Sequence, residues 1–79
     1  MKEKFEEFDI VEIIKVPEKC KGKIDIGDIG VLLDRYDDEN FEVECVQPDG
    51  SYKWLEPLHV KCFKLISHDP YSIKNKSKD

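Results

Sequence analysis

The residues of this 79-residue chain best suited to ligate a transition metal are three cysteines and two histidines. His59-x-x-Cys62 has the short spacing of two zinc ligands, with Cys20 and Cys45 as further candidates. Structural zinc sites usually bring two close pairs of ligands, whereas Cys20 and Cys45 each stand alone. Cys45 also lies on the same side of a predicted strand as Phe41 and Val43, which favours a small buried side chain. We therefore expect no metal and no other cofactor.

Nucleophilic catalysis is the second chemistry that these side chains could perform. A cysteine nucleophile needs a base within hydrogen-bonding reach, and only His59 and His68 could serve. His68 lies in the C-terminal tail. His59 and Cys62 could approach each other, but the sequence signals neither an oxyanion donor nor a binding cleft. So short a chain also has little room for a deep pocket.

Carboxylate pairs are plentiful but poorly placed for acid–base catalysis. Asp37-Asp38 falls in a turn, and Glu42 and Glu44 alternate along one side of a strand. Acid–base catalysis needs carboxyl groups whose pKa is displaced by burial or by a specific neighbour. The sequence therefore predicts that the protein is not an enzyme.

The segment Gly27-Asp28-Ile29-Gly30 has the glycine content of a phosphate-binding loop but lacks its other features. No helix follows it to direct a dipole at a phosphate, and Asp28 would repel one. We expect the two glycines to provide turn geometry or a close approach of two backbones.

Short alternating segments separated by turn residues must position these side chains, and they predict an all-β fold. A basic loop, residues 16–23, follows the first strand. A 3₁₀ turn over Pro57–Val60 precedes the last strand. The predicted strands are Phe8–Lys15, a strand that begins near Ile29, Phe41–Val46, Tyr52–Glu56 and Lys61–Ile66.

Five short strands of this kind predict one five-stranded SH3-like barrel over residues 8–66. Residues 1–7 form an N-terminal extension, and residues 67–79 form a flexible tail with three lysines. The core is predicted to contain Ile10, Ile14, Ile29, Val31, Leu33, Phe41, Val43, Leu55, Phe63 and Leu65.

Composition suggests the cytoplasm as the protein's location. No apolar run is long enough to span a bilayer, and residues 1–7 lack the apolar region of a secretory signal. Three widely spaced cysteines do not form a disulfide framework, so we expect free thiols in a reducing compartment.

The segment FDIVEIIK, followed by KGKIDIGDIGVLLDRYDDENFEVECVQPDG, resembles a family of small uncharacterised bacterial proteins, a domain of unknown function. The matching positions are Phe8–Val11, Ile26–Val31 and Phe41–Cys45. This family is similar to KOW modules and to the barrel of the nitrile hydratase β-subunit, which implies an SH3-like fold and no activity. Cys45 replaces the family's usual aromatic residue, and the lysine-rich tail has no counterpart in the family.

Some small acidic proteins of this type look like immunity partners of toxins, which leads to a protein-binding hypothesis. We predict a non-catalytic module that binds a basic protein, such as a nuclease-type toxin, through carboxylates and aromatic anchors. Two alternatives are that the glutamates are ordinary solvated residues and that Trp54 belongs to the core. The predicted binding residues are Asp37, Asp38, Glu39, Glu42, Glu44, Tyr52 and Trp54.

The alternative function is an RNA- or ribosome-associated KOW-like module that uses Lys19, Lys21, Lys23 and the tail. Its stacking platforms for bases would be Tyr36, Tyr52 and Trp54. The charge opposes it, because the chain has 13 basic and 18 acidic residues and a net charge of −5. Three lysines and two aspartates lie after Ile66, so the body keeps 10 basic against 16 acidic residues, a balance of −6. A barrel that helps to assemble a larger enzyme is a third hypothesis, based on fold analogy alone.

Overall fold

The computed structural model describes residues 4–68, which form a five-stranded antiparallel sheet and two 3₁₀ turns. The 3₁₀ turns span Glu18–Cys20 and Val60–Cys62. The strands are β1 (Ile10–Ile13), β2 (Ile29–Asp37), β3 (Asn40–Val46), β4 (Tyr52–His59) and β5 (Phe63–Ser67). The predicted all-β fold, with a 3₁₀ turn before the last strand, is confirmed. The turn was predicted over Pro57–Val60, but those residues up to His59 continue β4, and the turn begins only at Val60.

The strands follow the order β4-β3-β2-β1-β5 across the sheet. β2, β3 and β4 form a meander, and β1 lies between β2 and β5. Within residues 4–68, β4 and β5 do not pair with each other, so the sheet has an open seam between its two edges. Each strand is too short to be stable in an isolated hairpin, and the shared core holds the five together.

The inner face of the sheet encloses one apolar core. Phe5, Phe41 and Phe63 pack edge to face in this core, with ring centroids 5.0 to 6.4 Å apart. Phe5 belongs to the predicted N-terminal extension, so part of that segment contributes to the core. The other core residues are Val11, Ile13, Cys20, Ile24, Leu32, Val43, Cys45, Trp54, Leu58 and Cys62.

The prediction for β3 is confirmed, whereas the prediction for β1 is confirmed for Ile10, which is buried, and wrong for Ile14. Phe41 and Val43 are buried in the core as expected. In β1 the core receives Val11 and Ile13, while Ile14 is 46% exposed. Since both parities of β1 carry apolar side chains, the pattern could not decide which set faces inward.

The inward residue of β2 was also predicted wrongly. Leu32 is fully buried, whereas Ile29 is exposed and Val31 and Leu33 are half-buried. The register between β2 and β3 shifts between Leu32 and Asp34, so the pairing skips Leu33. This bulge ends the strict alternation at Leu33. It lies after Ile29 and Val31, whose face the sequence could not decide because Leu32 and Leu33 make both alternating sets of β2 apolar.

Core predictions on the remaining strands had mixed outcomes. Leu55 is exposed and the neighbouring Trp54 is buried instead. Phe63 lies in the core, and Leu65 packs against it while half-buried. Ile10 is buried but lies outside the main core cluster, directly opposite Val31.

Two glycines have the roles expected from the sequence. Gly27 adopts a φ of +94°, which only glycine tolerates readily. At Gly30 a Cβ atom would lie 2.7 Å from Cγ1 of Val43 and 3.1 Å from the carbonyl oxygen of Glu44. The missing side chain therefore lets β2 and β3 pack closely.

The two ends of the described chain meet at Asp9, which is only 1% exposed. Its Oδ2 accepts a hydrogen bond from the backbone N–H of Glu6 at 2.8 Å, and its Oδ1 lies 2.8 Å from Nδ1 of His68.

β5 continues to Ser67, one residue into the predicted tail. The rest of that tail, residues 69–79, lies outside the described residues, as do residues 1–3. Within residues 4–68 no helix has the length and hydropathy needed to cross a membrane.

Candidate protein-binding surface

The predicted acidic turn is the tip of the β2–β3 hairpin, and hydrogen bonds order it. Asp37 Oδ1 accepts from the backbone N–H of Glu39 at 2.8 Å and from Nδ2 of Asn40 at 3.0 Å. These hydrogen bonds, first that of Glu39 and then that of Asn40, lower the pKa of Asp37. Asp37 therefore shapes the turn, while Asp38 and Glu39 project their carboxylates at its tip.

Three carboxylates lie on the outer face of the sheet and form what we call the acidic stripe: Asp34, Glu42 and Glu44. Asp34 is the cross-strand partner of Glu42, which in turn faces Pro57 on β4. Glu44 lies between Val31 and Leu55 in the next row. Directly opposite residues in an antiparallel pair project from the same face, so the strand register brings these carboxylates together.

The three carboxylates of the acidic stripe form no ion pair within residues 4–68. The ion pairs found in this part of the chain involve other acidic residues. Like charges directly opposite each other on adjacent strands are destabilising. Asp34 and Glu42 therefore create a local negative field that a bound cation would relieve.

Tyr36 reports this negative field. Loss of hydration is the largest cause that raises the pKa of its hydroxyl, and the charge of Glu42, a hydrogen bond to Glu42 and the charge of Asp34 follow. Its side chain is 54% exposed. Tyr36 thus provides an aromatic surface beside the acidic stripe, although it was not among the predicted binding residues.

The two predicted aromatic anchors occupy different environments. Tyr52 is 59% exposed and lies opposite Val46, at the end of the sheet remote from the hairpin tip. Trp54 is only 2% exposed, and its indole Nε1 donates a 2.8 Å hydrogen bond to Oδ2 of Asp28. Trp54 is therefore a core residue, so its predicted place on the binding surface is corrected.

The lysines of the first loop are partly neutralised by neighbouring carboxylates. Lys21 Nζ lies 3.2 Å from Glu18 Oε1, and Lys23 Nζ lies 2.6 Å from Glu56 Oε2. The hydrogen bond and charge of Glu56 raise the pKa of Lys23. Lys19 is exposed on the same loop. This loop therefore offers less free positive charge than its sequence suggests.

Within residues 4–68 no three of the candidate metal ligands Cys20, Cys45, His59 and Cys62 come together. Cys20, Cys45 and Cys62 are buried free thiols, and burial raises the pKa of Cys45 and Cys62. His59 uses Nδ1 to accept the backbone N–H of Lys61 at 3.0 Å, which caps the second 3₁₀ turn. The three thiols therefore pack in the core, and His59 caps a turn.

A different trio, Glu6, Asp9 and His68, has its potential ligand atoms within 4.8 Å of one another. Both oxygens of Asp9 already have polar partners there: the N–H of Glu6 and Nδ1 of His68. We interpret the trio as a clamp that fixes the first turn to the end of β5.

Comparison with models of known protein families, with curated proteins and with solved structures finds no match to this chain. The family resemblance stays a prediction.

Sequence reasoning located Glu42 and Glu44 but missed Asp34, and it considered Tyr36 only as a stacking platform for nucleic acid. The missing information is the pairing of β2 with β3, whose register shifts place Asp34 opposite Glu42. The available signal was an acidic residue directly after the apolar run Val31–Leu33, but alternation alone did not assign its face.

Proposed function

We propose that the protein is a non-catalytic protein-binding module whose acidic stripe and hairpin tip bind a basic partner. The observation that carries this proposal is the cross-strand pair of Asp34 and Glu42, beside Glu44; none of the three forms an ion pair within residues 4–68. A basic partner would relieve this repulsion and would be attracted over distance by the same field.

The most specific form of the proposal is an immunity or antitoxin protein that neutralises a basic, nuclease-type toxin. Such a toxin must carry cationic groups that bind nucleic-acid phosphates. The carboxylates of Asp34, Glu42 and Glu44 would form ion pairs with those cationic groups in place of the phosphates. The net charge of −5 supports this assignment, since it opposes binding of the module to nucleic acid.

Affinity capture from a lysate of the source organism, with and without nuclease treatment, tests the proposal. The bait proteins are the full chain, the stripe variant Glu42→Gln/Glu44→Gln and the control variant Glu7→Gln/Glu18→Gln. Both variants remove two carboxylates from exposed or half-buried positions. We expect one basic protein to be retained after nuclease treatment by the full chain and the control, and to be lost from the stripe variant.

Capture of ribosomal proteins that disappear after nuclease treatment would contradict the proposal. It would favour the RNA-associated alternative, which depends on Lys19, Lys21, Lys23 and the tail. Equal capture of a basic protein by all three baits would show that its binding surface is elsewhere.

A further inference from the structure

An apolar groove of about 560 Å³ lies beside the acidic stripe. Its large apolar side chains come from two parts of the chain. Ile10, Ile29 and Val31 belong to β1 and β2, while Val46 and Pro48 belong to the end of β3 and the turn that follows. Val46 and Ile29 are large apolar residues with exposed side chains. Exposed apolar surface of this kind is typical of contact sites for other molecules.

The charged residues at the edge of the groove neutralise one another. Lys53 Nζ lies 2.9 Å from Oδ1 of Asp28, and both residues line the groove. Lys53 also pairs with Asp25 at 3.0 Å. The groove therefore presents apolar surface rather than net charge, in contrast to the stripe next to it.

The strand register makes the groove and the acidic stripe parts of one surface. Val31 lines the groove and is the cross-strand partner of Glu44. Along β3, the outward residues Val46, Glu44 and Glu42 follow at every second position. Residues two apart in a strand are about 6.8 Å apart. Along β3 the outer face therefore changes from apolar at Val46 to acidic at Glu44 and Glu42, with about 6.8 Å between successive side chains.

We propose that this groove holds the apolar anchor of the basic partner. The partner would insert one large aliphatic or aromatic side chain between Val31 and Val46, and would place Lys or Arg side chains over Glu44 and Glu42. An extended segment has this spacing, because its side chains on one face are also about 6.8 Å apart. The inference rests on the proposed function and adds the sequence character of the bound segment: an apolar residue followed by basic residues at alternating positions.

The probes are three synthetic peptides with the same length and serine spacers. The first has a leucine followed by two lysines at alternating positions. The second has serine in place of the leucine, and the third has serines in place of the lysines. Each is titrated into the full-length ¹⁵N-labelled protein, with the affinity and the shifted amide resonances as readouts. Burial of a leucine side chain predicts that the first peptide binds about tenfold or more tightly than the second.

Variants of the protein locate the binding site. Val46→Asp is expected to remove the advantage of the leucine peptide while leaving the salt-sensitive binding of the serine peptide. Ile14→Asp is the matched control, because Ile14 is exposed but does not line the groove.

Equal affinity of the first two peptides would overturn the groove inference and leave the acidic stripe as the binding site. Binding of the third peptide alone, or of none, would contradict the proposed function as well.

The chain's own tail contains Tyr71 and Ile73 followed by Lys74, Lys76 and Lys78, which is the same chemistry. The full-length variant Tyr71→Ser/Ile73→Ser therefore belongs in the experiment. An unchanged affinity for the leucine peptide supports a groove that is open to a partner. A gain of about tenfold would assign the groove to the tail and would overturn the inference.

Discussion

At the residue scale, Asp28 is the polar residue that links the first loop to the core. Its carboxylate accepts from the backbone N–H of Asp25, from the Trp54 indole and from Lys53. Asp28→Ala would leave the buried indole N–H without its acceptor. We expect a loss of about 1–3 kcal/mol in the free energy of unfolding, measured by urea denaturation.

Asp25→Ala is the control for this substitution, because Asp25 reaches only the exposed end of the same network. Its effect is expected to stay below about 1 kcal/mol. An equal loss in both variants would show that the ion pair with Lys53 matters more than the hydrogen bond to Trp54.

The same carboxylate predicts a pH dependence of stability. Burial raises the pKa of Asp28, but the hydrogen bonds from Asp25, Trp54 and Lys53 outweigh this effect and lower the pKa below its ordinary value. A depressed folded-state pKa adds stability above the unfolded-state pKa of about 3.9, and this stability is lost as the pH falls. We therefore expect the difference in unfolding free energy between the wild type and Asp28→Asn to shrink below about pH 4. A constant difference between pH 7 and pH 3 would contradict this assignment.

Tyr36 gives a residue-scale test of the negative field. Because the charge of Glu42 and its hydrogen bond contribute to the raised pKa of Tyr36, Glu42→Gln is expected to shift that pKa down toward its ordinary value. An NMR pH titration of the assigned Tyr36 ring measures this shift, and Glu7→Gln is expected to leave it unchanged. An unaltered pKa in Glu42→Gln would show that the two side chains do not interact.

At the element scale, the close approach of β2 and β3 depends on Gly30. Gly30→Ala would place a methyl group against Cγ1 of Val43 and the backbone of Glu44. We expect a cost of about 1–3 kcal/mol in thermal or urea unfolding, because a branched side chain and a paired strand have little freedom to move.

A double-mutant cycle with Val43→Ala separates steric overlap from other effects. Val43→Ala removes the methyl group nearest to the added Cβ, so Gly30→Ala should cost less in that background. Strict additivity of the two substitutions would mean that the Glu44 backbone, not Val43, limits the space.

The strands also show what sequence could reveal. β3 was predictable because Glu42 and Glu44 occupy one face and Phe41 and Val43 the other. In β1 both alternating sets of residues contain apolar side chains. Which set faces the core, that of Val11 or that of Ile10, therefore depended on tertiary packing. In β2 the bulge at Leu33 changes which alternate residues face the core partway along the strand.

Trp54 illustrates a different limit of prediction. An aromatic residue with a polar N–H group suits both a binding surface and a core that contains an acceptor. The acceptor is Asp28, 26 positions away in sequence, and only the fold brings the two together. The acidic stripe was recognised in part for the same reason, since Asp34 joins it through strand pairing.

At the scale of the whole molecule, charge is distributed unevenly. Several of the described lysines pair with carboxylates of the first loop or of the strands, as in Lys23–Glu56, Lys53–Asp28 and Lys64–Glu12. The outer face keeps Asp34, Glu42 and Glu44 without such partners within residues 4–68. This face therefore carries negative charge that no ion pair compensates within residues 4–68, next to an apolar groove.

The most direct test of the central claim is the affinity of the captured basic partner for three full-length proteins, measured by calorimetry at several salt concentrations. The proteins are the wild type, Glu42→Lys/Glu44→Lys and the control Glu7→Lys/Glu18→Lys. We predict a loss of tenfold or more for the stripe variant, since truncating or reversing a charge at the centre of an interface costs about 2 kcal/mol or more. The control should lose much less, through long-range charge alone. Equal losses in the two variants would contradict a binding site on the acidic stripe.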